Sequence, residues 1–423
     1  MPTVALSSNE LASLPGILRI TPHMRPTRRI NPPLSIMNSV RLGIAGLGGM
    51  GSTHARSILD GSVKHTTLAA VSDADPARLE PFADAKKFDD ADKMFRSGEI
   101  DAVLIATPHY SHTTLGIAAL EAGLHVLVEK PISVHKADAE RLIAAHRGPS
   151  KGKRRQVFSA MFNQRTDPFY QKIRDLVRSG ELGRIQRINW IITNWFRPEA
   201  YYASGGWRAT WAGEGGGVLL NQCPHNIDLF QWMFGMPSSV RAFCGFGKYH
   251  NIEVEDDVTA YLEYASGANA VFITSTGEAP GTNRLEVAGD RGKVVYEDDR
   301  IQYTRNVVPT SEFSRTTREM FSRPETWDVT IPARGHGGQH REIFNNFIAA
   351  IRDGTELIAP AAEGIHSVEL ANAMIYSALT DARVDLPLNG AAYERRLRKL
   401  IAESKFVKKP DKAVTSDLSK SFN

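Results

Sequence analysis

The sequence predicts an α/β protein in two parts, a doubly wound parallel sheet followed by an α+β part built on an antiparallel sheet. Three observations predict it. Short apolar runs alternate with helical stretches between Val40 and Val128, and strands that alternate with helices form parallel sheets. A glycine-rich turn, Gly46-Leu-Gly48-Gly49-Met50-Gly51, stands where the first apolar run gives way to the first helix. After about residue 184 the segments become longer, alternating and aromatic-containing, with no helices between them.

Residues 1–38 hold six of the 22 prolines and show no periodicity, so they read as a disordered extension. Val40 to Ala45 is the first strand, Ser52 to Leu59 a helix, and Leu68 to Val71 a strand that ends in Ser72-Asp73. Asp101 to Ala106 is a buried strand, Thr113 to Ala122 a helix closed by Gly123, and His125 to Val128 a further strand. The later strands are Gln186 to Thr193, Val258 to Tyr264, Ala268 to Ser275, Arg284 to Val287 and Lys293 to Tyr296, the last two flanking a hairpin signal at residues 288–292. Ile343, Phe344, Phe347, Ile348 and Ile351 recur at helical spacing. The expected division is a parallel-sheet domain over 39–160, an α+β domain over 161–390, and a C-terminal helix with a basic tail over 391–423.

Composition narrows the function classes. The net charge of +4 is unevenly spread: residues 1–38 carry +3 and residues 394–423 carry +5, which leaves −4 for the body. A mildly acidic body argues against a nucleic-acid surface. Two cysteines, Cys223 and Cys244, are too few for a disulfide framework. No stretch approaches the ~20 apolar residues of a membrane span. Arg28-Arg29 is followed by Ile-Asn-Pro-Pro rather than by the apolar core of an export signal. A cytoplasmic protein is expected.

The glycine turn fits GxGxxG, and its context is what gives it weight. It follows an apolar strand, opens a helix, and is followed by an acid, Asp73, at the end of the next strand. That is the Rossmann dinucleotide arrangement. Gly46 makes the tight turn, Gly48 lets a pyrophosphate approach the backbone, Gly51 lets helix and strand pack closely, and the phosphates sit on the positive end of the helix. Asp73 is placed to bond a ribose 2′-hydroxyl and would repel a 2′-phosphate. With no Arg immediately after it, NAD rather than NADP is expected.

Three further stretches carry a family resemblance: Ala106-Thr107-Pro108-His-Tyr-Ser-His112, Glu121-Ala-Gly-Leu-His-Val-Leu-Val-Glu129-Lys130-Pro131, and Gly215-Gly-Gly-Val-Leu-Leu-Asn221-Gln-Cys-Pro-His225-Asn-Ile-Asp228. With the glycine turn, these make residues 39–390 resemble the glucose–fructose oxidoreductase / inositol dehydrogenase / MocA (Gfo/Idh/MocA) family. The resemblance implies a Rossmann domain followed by a large open, mostly antiparallel sheet whose outer face joins subunits into a homodimer or homotetramer. It also implies hydride transfer between a nicotinamide and a hydroxyl-bearing carbon of a sugar, cyclitol or glycoside. Lys130 would then bond the reacting hydroxyl and His225 would be the general base, while Thr107, Pro108, His112, Glu129 and Lys130 would join the cofactor site.

Elementary chemistry agrees with that assignment. Oxidising a secondary alcohol needs a proton acceptor at the oxygen, and an imidazole suits that task near neutral pH. Lys130 follows a parallel strand, on the side where ligand crevices open, and its ammonium can stabilise a developing alkoxide. If helical, Asn221, His225 and Asp228 share one face. Much of the family carries Asp at the position of Asn221; an amide can orient a polyol but supplies no negative charge. No metal is expected.

The loop Trp195 to Trp211 is dense in aromatics and Arg, which suits a carbohydrate pocket or a subunit contact. Within it, Trp207 and Arg208 are the expected substrate residues, with Asn163 and Arg165 bordering the crevice. Of two later histidines, His336 is expected to face substrate and His340 to be structural. Two other readings remain open: redox-neutral glycoside cleavage through transient C3 oxidation, and a non-catalytic NAD-binding sensor.

Overall fold

A computed structural model describes residues 39–148 and 156–408. The predicted extension over 1–38 and the basic tail beyond 408 lie outside the described residues. In chain order the first part runs β1 (Val40–Ala45), α1 (Gly49–Leu59), β2 (Thr66–Ser72), β3 (Lys86–Phe88), α2 (Ala91–Arg96), β4 (Ala102–Ile105), α3 (His109–Glu121), β5 (His125–Val128), α4 (Lys136–Arg147) and β6 (Phe158–Ala160). The six strands pair in parallel in the order β3-β2-β1-β4-β5-β6. Chain order reverses between β1 and β4, which puts a ligand crevice outside the carboxyl ends of those strands. Every residue of β4 is buried, as expected for a parallel strand covered on both faces.

The second part runs α5 (Pro168–Arg178), β7 (Ile185–Ile192), α6 (Glu199–Ala203), α7 (Pro224–Phe234), β8 (Ser239–Phe246), β9 (Glu255–Glu263), β10 (Asn269–Ser275), β11 (Asn283–Gly289), β12 (Gly292–Glu297), β13 (Arg300–Asn306), α8 (Thr310–Thr316), β14 (Thr326–Ile331), α9 (Gln339–Asp353), α10 (Gly364–Thr380), β15 (Val384–Asp385) and α11 (Gly390–Glu403). Its nine-stranded sheet has the order β14-β13-β12-β11-β7-β10-β9-β8-β15, and only the β7–β10 pair is parallel. The hairpin signal becomes the β11–β12 turn, closed by the Gly289–Gly292 pair. Alternation works as period 2 requires. Ile188, Trp190 and Ile192 of β7 and Val258, Ala260 and Leu262 of β9 are buried, while Phe243 and Tyr261 stand exposed on the other face.

The helix carrying Ile343, Phe344, Phe347, Ile348 and Ile351 packs these side chains into the core of the first sheet. The sequence groups it with residues 161–390. Its chain neighbours do belong there, but its apolar stripe completes the parallel-sheet core, which local periodicity cannot reveal.

Candidate active site

The glycine turn is built to leave backbone exposed. Gly46 has φ +90°, and a Cβ there would lie 2.8 Å from the Ala106 carbonyl, so the turn needs glycine. A Cβ on Gly51 would lie 1.9 Å from the Gly46 carbonyl, which fixes the close packing of α1 on β1. At Gly48 a Cβ would meet nothing within 4 Å. Gly48 caps α1 without a side-chain bond, and the first N–H groups of the helix, at Gly49 and Met50, have no intrahelical partners. This is a cradle for an anion.

Asp73 is tied into the same turn. Its Oδ2 accepts the Leu47 N–H at 2.7 Å and its Oδ1 accepts the Asp75 N–H at 2.9 Å. Arg78, five residues on, brings its guanidinium to 3.6 Å from Oδ2. The sequence has no Arg directly after Asp73, but a short 3₁₀ turn over Pro76–Arg78 folds one back.

At the ends of β4 and β5 the wall of the crevice is pinned from behind. Thr107 Oγ1 is buried with no hydrogen-bond partner among the described residues, an orphan that a bound dinucleotide can satisfy. Pro108 caps α3. Both ring nitrogens of His112 are engaged with backbone carbonyls, those of Pro131 at 2.7 Å and Thr107 at 2.8 Å, so His112 braces the wall rather than offering a ring nitrogen to a ligand. Glu129 is buried and meets His54 Nε2 of α1 at 2.8 Å. Burial, the largest single effect, opposes its charge, but the His54 bond together with the electrostatic pull of His54, His340 and Lys130 outweighs it and holds the carboxyl down to about 2. Glu129 thereby locks the end of β5 to the glycine helix.

Lys130 reaches across to the second part of the fold. Its Nζ donates to the backbone carbonyl of Asn221 at 2.8 Å, four residues before His225. α7 begins at Pro224, so Asn221 lies in the turn before the helix, and only His225 and Asp228 of the predicted face are helical. His225 is buried, packs edge-on to Phe162, and has Nδ1 without a partner among the described residues. Burial, then the Lys130 charge, push its imidazole well below the ordinary value.

The aromatic loop folds over these residues. Arg208 lies 4.7 Å from the ring centres of both Tyr201 and Trp207, and Arg197 lies 5.3 Å from that of Tyr201. Trp207 meets His109 edge-on at 5.4 Å. Asn221 bonds Tyr201 and Glu214. Sequence reasoning gives no role to Glu214, His109, His54 and Arg78, although His109 lies within the 106–112 stretch, Glu214 directly precedes Gly215 and His54 follows the glycine turn. Those motifs do not announce which partner each side chain meets in the fold. Tyr201 lies inside the aromatic loop that composition singles out.

Arg165 is used differently from the expectation. It is buried, pairs with both oxygens of Asp228 at 2.7 Å, and bonds Glu363 at 2.6 Å. Its charged fork therefore anchors α7 behind His225 instead of bordering the crevice. Asn163 is also buried, with Nδ2 on Gln339 at 2.6 Å and Oδ1 without a partner among the described residues. Of the two late histidines, His336 pairs with Asp167 at 3.2 Å, and His340 packs on His54 and lies within reach of the charges of Glu129 and Lys130.

Two family models match this chain. One, described as an oxidoreductase family with an NAD-binding Rossmann fold, matches residues 40–157, and the other, the GFO/IDH/MocA C-terminal domain, matches residues 170–295. The chain belongs to the Gfo/Idh/MocA family. Within that family it is 28% identical over 361 residues to inositol 2-dehydrogenase of Rhizobium meliloti, covering 82% of this chain and 99% of that one. It is 24% identical over 396 residues to levoglucosan dehydrogenase of Pseudarthrobacter phenanthrenivorans, covering 83% and 99%. Among solved structures, a WlbA dehydrogenase from Chromobacterium violaceum in complex with NADH and UDP-GlcNAcA matches with TM-score 0.72 and 26% identity, covering 86% of this chain and all of that one. As a Gfo/Idh/MocA protein the chain is an oxidoreductase with an NAD-binding Rossmann domain. No described helix is long and apolar enough to cross a membrane, and no cluster of three or more metal-ligating side chains occurs among the described residues.

Proposed function

We propose that the protein is an NAD-dependent dehydrogenase that moves a hydride between nicotinamide and a secondary hydroxyl or ketone of a sugar, cyclitol or glycoside. The observation that carries this reading is the meeting of Lys130 with the turn that leads into His225, at the edge where the parallel sheet presents its glycine cradle. With the pyrophosphate of the dinucleotide in that cradle, the nicotinamide would supply the hydride acceptor or donor. Lys130 holds the hydroxyl oxygen and stabilises negative charge there. His225, kept neutral by burial, takes the hydroxyl proton on oxidation and returns it on reduction. Trp207, Tyr201 and Arg208 supply flat apolar faces and forked donors for a ring rimmed with hydroxyls.

The dehydrogenase relatives act on inositol and levoglucosan, as their names state, which supports a polyol or sugar as substrate class. Asp73 supports NAD over NADP, with Arg78 as the side chain that softens the preference. Exposed Phe243 and Tyr261 on the outer face of the nine-stranded sheet support a homo-oligomer joined through that face.

The test is a screen of cyclitols, free sugars and glycosides with NAD and with NADP, following reduced cofactor and cleaved product together. Substrate-dependent formation of reduced cofactor is expected. Cleavage without net reduced cofactor would replace this reading with redox-neutral glycoside cleavage, and neither signal with any compound, despite NADH binding, would leave a sensor.

A further inference from the structure

We propose that Glu214 and Asn221 act as one carboxylate–amide unit of the reacting centre, with the negative charge on residue 214 and the amide on residue 221. What the unit serves rests on the dehydrogenase reading; that it exists rests on geometry. Asn221 Nδ2 donates to Glu214 Oε1, and Glu214 Oε2 accepts the Ala209 N–H at 2.6 Å. Glu214 is only 2% exposed, so both of its oxygens have protein donors in place of water. Holding the amide nitrogen turns Oδ1 of Asn221 toward Tyr201, whose hydroxyl donates to it at 3.2 Å and in turn accepts from Arg208 at 2.9 Å. The backbone carbonyl of Asn221 meanwhile receives Lys130. One residue therefore joins Lys130, the aromatic loop and a buried carboxylate.

The surroundings say why the charge sits on 214. Arg208 Nη1 lies 3.9 Å from Glu214 Oε1. Lys130 and Lys408 lie close enough to feel its charge, as do Tyr201, Tyr202 and the Glu255 carboxyl. His109 approaches only its backbone carbonyl. Burial pushes the Glu214 carboxyl above its ordinary value, while the Arg208 charge, the Ala209 N–H, the Asn221 amide and the Lys408 charge pull the other way. As a carboxylate it is a counter-charge to the cations that line this side of the crevice. An Asp at 221 would set a second carboxylate against it, and two carboxylates in contact cannot both ionise. Asn221 is the residue that a carboxylate at 214 demands.

Residue 214 is then a positioning residue, and the two side chains can exchange chemistry. Wild type, N221D, E214Q and the E214Q/N221D double variant are compared by melting temperature from about pH 5 to about pH 8, by NADH fluorescence titration, and by kcat/KM against pH for a substrate from the screen. In N221D the two carboxylates share a proton, so one has a folded-state pKa above its unfolded value. Stability is then lost as pH rises through that pKa. N221D should therefore melt below the double variant, with a gap that widens toward pH 8.

Each single variant should lose about tenfold or more in kcat/KM, and the double should recover most of it, as coupled neighbours do. NADH affinity should hold within a few-fold throughout. In E214Q the alkaline limb should move to lower pH, because Glu214 supports the charged form of Lys130. A double variant whose losses in melting temperature and kcat/KM are the sum of the singles, or an N221D gap that ignores pH, overturns the unit. If no compound is turned over by any of the four proteins, the pH-dependent melting cycle still decides whether the unit exists, and the dehydrogenase reading is what fails. If E214Q does not fold, wild type against N221D decides through the same pH dependence.

Discussion

Arg165 holds Asp228 through two hydrogen bonds of 2.7 Å, and both side chains are about 1% exposed. Asp228 also accepts from Gln231 at 3.0 Å, so the carboxylate three residues after His225 is fixed from two sides. Removing one member of a buried pair leaves an uncompensated charge. Arg165→Ala should cost about 3–5 kcal/mol in chemical denaturation, and Arg165→Lys should recover only part of it, because an ammonium cannot make the planar fork. A raised KM with unchanged stability in Arg165→Ala would instead make Arg165 a substrate ligand.

Asp73 and Arg78 give opposed predictions for cofactor choice. The Asp73 carboxylate repels a 2′-phosphate, whereas the Arg78 guanidinium 3.6 Å away attracts it. The ratio of kcat/KM for NAD to that for NADP should fall about tenfold in Asp73→Ser, a change of roughly 1.4 kcal/mol, and should rise in Arg78→Ala. Equal use of both cofactors by the wild type would remove Asp73 from the discrimination.

Lys130→Ala and His225→Ala should each lower kcat by about 10²-fold or more while NADH affinity, read by fluorescence titration, changes little. Activity within a few-fold of wild type in either protein removes that residue from the chemistry.

These residues differ in how legible they are in the amino-acid sequence. The glycine turn, the strand ending in Asp73 and the strand before Lys130 are local patterns, because the turn needs particular backbone angles and the strands need continuous apolar runs. Arg165 reads as a crevice residue because it follows a strand of the parallel sheet, at the end where the crevice opens. Its partners Asp228 and Glu363 are 63 and 198 residues away, and no periodicity announces such a pairing. The same holds for Glu129 with His54, and for α9, whose apolar stripe predicts burial without saying in which core. Spacing alone puts Asn221, His225 and Asp228 on one helical face; Pro224 at the first position of α7, where proline is favoured, is the signal that the helix starts after Asn221.

The pH dependence of oxidation follows from where His225 sits. An unperturbed imidazole titrates near 6.5, and a base acts only when deprotonated. Burial first, then the Lys130 and His340 charges, hold the His225 imidazole well below that value, with Glu129 pulling weakly the other way. The acidic limb of kcat/KM for oxidation should therefore lie clearly below about 6.5. In Lys130→Met the residual activity should show this limb at higher pH, since a neighbouring cation has been removed. Stability moves with the same sign: an imidazole kept neutral in the fold but free to protonate when unfolded loses stability as pH falls below about 6.5. His109 and His340, also depressed by burial, share that loss, so His225→Asn should make the fall in melting temperature shallower without abolishing it. An acidic limb at the ordinary imidazole value, unmoved in Lys130→Met, would mean that the group controlling the rate is neither buried nor beside Lys130, and His225 would then not be the base.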